Sequence, residues 1–565
     1  MDDLYTELWG KNSFPGIIEE FTIEVPKPQF YREPGFGAGL QRAGVHDFPL
    51  NGALEQKTSH VFQKLQTTNL LPCGLDKLLV TEEYVHVENL LRDAELKKWS
   101  SGGRPSVSAK LDFQITGQPG SGKSVFLSYL LVRRLVASLP TVYRDDDDHC
   151  FLFNEHRHGE EVDSETLFKL DENAKRKLWV LTDEALTKQT WTKAHHGWFI
   201  ILAASPKKIK ASRQWQKDRN ADLHCISNWN WNDIFAAFRY ATNYSACTIT
   251  DQCSLCNSGV NQTNTAHLYT TFSCFGPNAR TCLKTIPANS SDGEYDNYVE
   301  SYLSIVDEEI RQLIGQGDYR YLGSVFGQGT SHTIGLMEPN EHGNGCQIGI
   351  ITRWIAYRIN KVQEGKARQN SLMLFKSLSG QPILRSAAGW FFEAYAHDWF
   401  GRGGEFQADE LPIKDGDPSL LEFKIQKSKE SNYFASLREL ASQVRVGGGH
   451  GIDIRNLGKY FQPYGKTQES FDGLVFSKVD TLILLQCTMA ERHEIKPHGV
   501  QSLLQALPAT IKCICIVFVV PNDRADKYAN AQKVPDANAL GLQAGQSIKQ
   551  FRLVFPDEDI ESLVK

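Results

Sequence analysis

The sequence predicts an α/β protein whose two halves carry different chemistry. Three observations point there. Leu111-Asp112-Phe113-Gln114-Ile115-Thr116 alternates like a strand and runs through a glycine-rich loop into an apolar, helix-like stretch at 125–132. Leu178-Trp179-Val180-Leu181-Thr182-Asp183-Glu184 reads as an apolar strand ending in two carboxylates. Beyond residue 340, a buried helix at 388–397 precedes apolar strands at 470–476, 481–489 and 513–520.

Taken in order, residues 1–100 are rich in Pro, Gly and aromatics, as in Phe14-Pro15-Gly16 and Tyr31-Arg32-Glu33-Pro34-Gly35, and read as turns and short extended pieces. Ser100-Ser101-Gly102-Gly103-Arg104-Pro105 marks a boundary, giving regions 1–100, 101–335 and 340–565. A chain of 565 residues with 41% hydrophobic and 23% charged residues is globular and too long for one core. A net charge of -6 excludes a globally basic nucleic-acid binder and leaves room for a local basic surface. There is no apolar run of 18 residues, so no membrane-spanning helix is expected, and the acidic start Met1-Asp2-Asp3 is no ordinary secretory signal. Without such a helix a soluble protein is expected, and twelve scattered cysteines fit reduced thiols in a cytosolic or nuclear setting.

The glycine-rich loop is Gly117-Gln118-Pro119-Gly120-Ser121-Gly122-Lys123-Ser124, followed by Val125, and it matches G-x-x-x-x-G-K-[ST] at every fixed position. Glycines let successive N–H groups turn inward onto phosphate oxygens. Lys123 would reach the β- and γ-phosphates of ATP, the Ser124 hydroxyl would sit on Mg²⁺, and the following helix would point its positive end at the anion. Asp183 would hold the same Mg²⁺, and Glu184 would orient or deprotonate the attacking water.

Trp198-Phe199-Ile200-Ile201-Leu202-Ala203-Ala204-Ser205 is a further apolar strand, with Ser205 where an AAA- or STAND-like ATPase would sense the γ-phosphate. Pro206-Lys207-Lys208-Ile209-Lys210, with Arg213, Lys217 and Arg219, is a basic stretch that reads as a nucleotide or nucleic-acid contact or as a solvated helix face. Phe275-Gly276-Pro277-Asn278-Ala279-Arg280 is a turn whose arginine would pair with the γ-phosphate from a helical lid, or else is a structural surface turn. Cys247, Cys253, Cys256, His267, Cys274 and Cys282 include one C-x-x-C spacing; a zinc site and ordinary free thiols are both open.

In the C-terminal half, Glu393 and His397 stand at i and i+4 on one helix face. Asp472 begins a strand, Gln486 and Thr488 share one face of the next, and His493 and Lys496 follow. Polar groups on a helix and two adjoining strands are laid out as in the PD-(D/E)xK nucleases, so a restriction-endonuclease-like domain is expected. Glu393, Asp472 and Gln486 would then ligate Mg²⁺, with Lys496 steadying the transition state and His493 assisting. The second strand reads Gln-x-Thr where that superfamily has Glu-x-Lys. Asp409 with Glu422-Phe423-Lys424 is a literal alternative on a shorter run.

The order of these pieces resembles the Crinkler effectors and their relatives, the retrotransposon hot spot proteins. The matching segments are Phe30-Tyr31-Arg32-Glu33-Pro34, the P-loop, Val180 to Glu184, Ala204-Ser205-Pro206-Lys207, Trp229-Asn230-Trp231-Asn232 and Phe275 to Arg280. Downstream they are Gly389 to His397, Asp472, Gln486-Cys487-Thr488 and His493-Glu494-Ile495-Lys496. The ubiquitin-like header of many Crinklers is not evident. The resemblance implies an ATP-gated, Mg²⁺-dependent nuclease acting on nucleic acid, DNA first, released into a host cell and its nucleus. A homo-oligomer is compatible with an AAA-like ATPase. The alternative is a non-catalytic, ATP-switched protein that binds DNA or a partner.

Overall fold

The computed structural model describes residues 1–11, 16–26, 57–99, 112–145, 149–186, 191, 197–205, 208, 211–243, 262–316, 333–340, 343–361, 375–376, 378–379, 385–413, 419–427, 432–434, 437–446, 451–463, 470–490, 494–534 and 540–556. The chain divides into two compact units, residues 1–312 with 321–355, and 313–320 with 356–565. Among the described residues no helix is long and apolar enough to cross a membrane.

The first unit begins with a short helix α1 (Asp2–Leu8) and an antiparallel sheet of β1 (Ile18–Pro26), β2 (Lys57–Gln66) and β3 (Lys77–Val80), with β2 central. Helix α2 (Glu82–Trp99) follows, opening on two glutamates and closing on Lys97 and Lys98, each charge matched to its end of the helix dipole. The described parts of the N-terminal region thus hold more regular structure than its turn-rich composition suggests. The reason is tertiary. Leu4, Leu8, Leu65, Val80, Tyr84, Val87 and Leu91 bury against Phe126, Leu127, Leu130 and Leu131 in a shared core.

Those last four residues lie on α3 (Lys123–Val136), the helix after the glycine-rich loop. The loop itself leaves β4 (Phe113–Thr116), in a seven-stranded sheet completed by β5 (Thr141–Arg144), β6 (Cys150–Phe153), β7 (His158–Val162), β8 (Trp179–Thr182), β9 (Phe199–Ala203) and β10 (Asp222–Cys225). The order is β10-β4-β9-β8-β5-β6-β7. The first five are parallel, and β6 and β7 extend the sheet as an antiparallel hairpin. Strands β4, β5, β8 and β9 are buried along their whole length, the condition under which a parallel sheet is covered on both faces. Strand β9 lies between β4 and β8, so the glycine-rich loop and the Asp183-Glu184 pair leave the same end of the sheet.

Helices α4 (Trp231–Asn243), α5 (Gln262–Phe275) and α6 (Asp292–Gln316) follow, then a hairpin of β11 (Gly335–Pro339) and β12 (Cys346–Ile350). A disulfide joins Cys225, at the end of β10, to Cys346, with Cα atoms 5.7 Å apart. This corrects the expectation of free thiols throughout. No sequence spacing announces a pair 121 residues apart.

The second unit holds an eight-stranded sheet of β13 (Gly404–Glu410), β14 (Leu420–Ile425), β15 (Asn432–Phe434), β16 (Tyr460–Pro463), β17 (Gly473–Lys478), β18 (Thr481–Cys487), β19 (Cys513–Pro521) and β20 (Ser547–Phe555), ordered β14-β13-β20-β19-β18-β17-β16-β15. Strands β18, β19 and β20 are parallel, and β17 runs against β18. Helices α7 (Arg385–Gly401), α8 (Leu437–Val444) and α9 (Pro497–Ala506) complete the layers. Leu440, Val444, Val500 and Leu503 of α8 and α9 pack with Leu482, Leu484, Ile514, Ile516 and Phe518. Helix α7 covers the other face, where Phe392 and Trp399 meet Phe555. The literal E-x-K at Glu422 and Lys424, expected on a short run, lies in an edge hairpin, β13–β14.

Candidate functional site

The glycine-rich loop is held by its carbonyls. Lys123 Nζ donates to Gly117 O at 3.0 Å and Gln118 O at 2.8 Å. Asn278 Nδ2 donates to Pro119 O at 2.7 Å, Trp229 Nε1 to Ser121 O at 3.0 Å, and the Tyr84 hydroxyl to Gly122 O at 2.9 Å. In a planar trans peptide the N–H points opposite the C=O. Tying those three carbonyls therefore turns the N–H groups of Gly120, Gly122 and Lys123 away from Asn278, Trp229 and Tyr84. Gly120 and Gly122 have φ of +89° and +91°, and a Cβ at either would run into Asn278 or Tyr84. Glycine is required there for two reasons, the left-handed backbone and the close approach. The Gln118 side chain, fully enclosed, clamps the β11 strand by donating to Gly335 O at 2.8 Å and accepting from Met337 N at 2.9 Å.

Ser124 Oγ donates to Asp183 Oδ2 at 2.7 Å. The hydroxyl and the carboxylate that sequence assigned to one cation are thus adjacent, and two hard oxygens suit Mg²⁺. Glu184 has a fixed backbone. Its N–H donates to Thr182 Oγ1 at 3.2 Å, while buried Arg144 reaches Thr182 Oγ1 at 3.0 Å and Glu184 O at 3.3 Å. The Glu184 carboxylate forms an ion pair with Lys208. Ser205 lies two residues past β9, half-buried at the same sheet end. Val125 is half-buried in the first turn of α3. Burial pushes the Lys123 ammonium down to about 8, and the nearby Arg280 guanidinium adds to the shift. Arg280 is itself exposed, on the turn that carries Asn278. The turn at 275–280 and the glycine-rich loop therefore meet, through the hydrogen bond from Asn278.

Sequence reasoning missed Tyr84, Arg144, Trp229 and Asn278 as supports. Lys208 had a sequence signal in the basic stretch after Ser205, but nothing there named Glu184 as its partner.

For zinc, Cys247, Cys253 and Cys256 lie outside the described residues. His267 stacks on Tyr295 at 3.8 Å, and Cys274 and Cys282 are buried. Among the described residues no group of three or more His, Cys, Asp or Glu is placed to hold a metal ion.

In the second unit, His397 joins Glu393 to Tyr460. Its Nε2 lies 3.3 Å from Glu393 Oε1 and its Nδ1 is hydrogen-bonded to the Tyr460 hydroxyl. Burial pushes the Tyr460 phenol well up, so the hydroxyl stays neutral. On the strands, Asp472 Oδ2 accepts from Gln486 Nε2 at 2.8 Å and Cys487 N at 2.7 Å.

Strand alternation then separates Gln486 from Glu393 and His397, while the Asp472 carboxylate lies close enough to Tyr460 to help raise its phenol. Tyr460 pairs with Val475 and Val475 with Ile483, so His397 and Glu393 approach the face of Ile483 and Leu485. Gln486 pairs with Phe518 and shares the face of Leu482 and Leu484, which packs on α8 and α9. Lys496 is exposed at the N-cap of α9, its carbonyl accepting from Ser470 Oγ. His493 lies outside the described residues. In the literal alternative, Asp409 pairs with Arg552 at 2.7 Å and Lys424 with Glu405 at 3.0 Å, and Glu422 accepts from Gln407.

No family model matches the chain, and no curated protein matches it.

Proposed function

We propose that the first unit binds ATP with Mg²⁺ and hydrolyses it, and that the nucleotide state governs a second unit directed at nucleic acid. The observation that carries this reading is the Ser124 Oγ–Asp183 Oδ2 contact at 2.7 Å, at the end of a loop whose amides are turned by tied carbonyls. Mg²⁺ held by Ser124 and Asp183 would neutralise charge on the β- and γ-phosphates. The remaining work belongs to the chain. Loop N–H groups cradle the phosphates, and Lys123 exchanges two carbonyls for phosphate oxygens. Glu184, its backbone braced by Arg144 and Thr182, orients the attacking water or takes its proton. Phosphate release from ATP by wild type, falling about 100-fold or more in Asp183→Asn, is the expected outcome. Equal rates would reject the site.

For the second unit, the layout of a helix carboxylate beside paired strands supports a PD-(D/E)xK-like nuclease, in keeping with the Crinkler resemblance. A specific observation favours the other reading, nucleic-acid binding without cleavage. Gln486 spends its amide on Asp472 and lies on the face away from Glu393. Incubating plasmid DNA with Mg²⁺, with and without ATP, beside Asp472→Ala separates the two. Cleavage by wild type alone supports the nuclease, whereas saturable binding without a product supports the switch. Action in a host nucleus rests on the resemblance, and imaging a tagged chain in host cells tests it.

A further inference from the structure

We infer that Lys208 is a γ-phosphate sensor, holding the Glu184 carboxylate until ATP, and not ADP, draws its ammonium away. This rests on the nucleotide-binding reading above and adds to it a residue and a switching step.

Four observations carry it. Lys208 follows β9 and Glu184 follows β8. These strands are parallel neighbours with Thr182 opposite Leu202, so both residues emerge at the sheet end that carries the glycine-rich loop. Their side chains are ion-paired and each is 39% exposed. A pair that open is screened by water and contributes little by itself, so a stronger anion can compete for its cation.

The backbones beneath the pair are fixed. Ser212, fully buried, donates its hydroxyl to Lys208 O at 3.0 Å and accepts from Leu186 N at 3.0 Å, stitching the two loops together. Arg144 and Thr182 hold the Glu184 peptide. The peptide groups of Lys208 and Glu184 are thus held, while a lysine side chain is a point charge on a flexible four-carbon stem. Finally, Asp183 beside Glu184 touches Ser124, so under the nucleotide-binding reading the γ-phosphate end of a triphosphate would come to this same junction.

The carboxylate that would handle water is thus engaged by a cation. A γ-phosphate carries more negative charge than one carboxylate and offers Lys208 a better partner. Lys208 transfers to it, and Glu184 is released beside the phosphorus it serves. ADP has no γ-phosphate, so the pair survives in the product state. Water attack is thereby tied to the presence of the group to be cleaved.

The test is calorimetric titration of the full chain with Mg²⁺ and either ADP or the non-hydrolysable β,γ-imido analogue of ATP. Lys208→Gln should weaken the analogue by about tenfold, one charge-assisted contact, and leave ADP within about twofold. Lys208→Arg should restore most of the loss. Glu184→Gln, which removes the competing carboxylate, should tighten the analogue a few-fold without affecting ADP. A Lys208→Gln variant that weakens both ligands equally, or neither, would overturn the sensor while leaving the nucleotide site intact. Wild type that binds neither ligand would overturn the site and the sensor together. Lys208 and Glu184 are both surface-accessible, so an unchanged Tm is expected and shows that each variant is folded.

Discussion

Lys123 is buried and carries its charge at a cost, with burial and then Arg280 lowering its pKa to about 8. Phosphate binds the protonated form. Below pH 8 the free protein already holds that proton; above it, binding must take one up. ATP affinity should therefore be flat below about pH 8 and fall by up to about tenfold per pH unit above it, checked by titration from pH 7 to 9.5. Another buried lysine makes a contrasting case. Asp112 is gripped by Arg219 and lies 3.6 Å from Lys98, so two cations share one carboxylate. Burial lowers Lys98 to about 8. Between that value and 10.5 the unfolded chain binds more protons, so this group adds stability as pH rises through the window. Lys98→Met should be near neutral and flatten that rise, because Arg219 still neutralises Asp112. Arg219→Met should cost about 3–5 kcal/mol by thermal or denaturant unfolding, because it breaks a fully buried ion pair and leaves Asp112 with Lys98, at 3.6 Å, in place of the guanidinium that grips it.

At the scale of the element, the glycine-rich loop is a short segment anchored from three directions, by α2 through Tyr84, by the approach to α4 through Trp229, and by the turn at 275–280 through Asn278. Gly120→Ala tests that anchoring. A Cβ there meets the Asn278 carboxamide from a left-handed backbone. The variant should lose about 1–2 kcal/mol of stability and most of its nucleotide affinity, measured by unfolding and by ATP titration. The motif itself was legible because its eight residues are consecutive, and the Asp183-Glu184 strand end because a buried parallel strand is an unbroken apolar run. The anchors were not, since Trp229 and Asn278 lie 108 and 159 residues from the carbonyls they hold. The helix expected at 388–397, which spans Arg385–Gly401, and strands β17 to β19 were also readable as apolar runs. What periodicity could not supply is which face of β18 looks at α7. That depends on the pairing of Tyr460 with Val475 and of Val475 with Ile483, and it puts Gln486 on the far side from Glu393.

At the scale of the whole molecule, two compact units each have their own sheet, and the disulfide belongs to the first. Cys225–Cys346 closes a long loop across the unit, and bridges of this kind contribute about 2–4 kcal/mol, so reductant or Cys346→Ser should lower the unfolding midpoint of the first unit and leave the second unchanged. Saturating Mg·ATP should raise that same midpoint by mass action. The central claim, that the first unit is a Mg·ATP site built on Lys123, Ser124 and Asp183, is tested most directly by calorimetric titration of ATP into the full chain. The titration is run with and without Mg²⁺ and repeated with Lys123→Ala. The account predicts saturable binding by wild type, weakened at least several-fold without Mg²⁺, and no measurable binding by the variant. Equal affinity in the two proteins, or none in wild type, would contradict it.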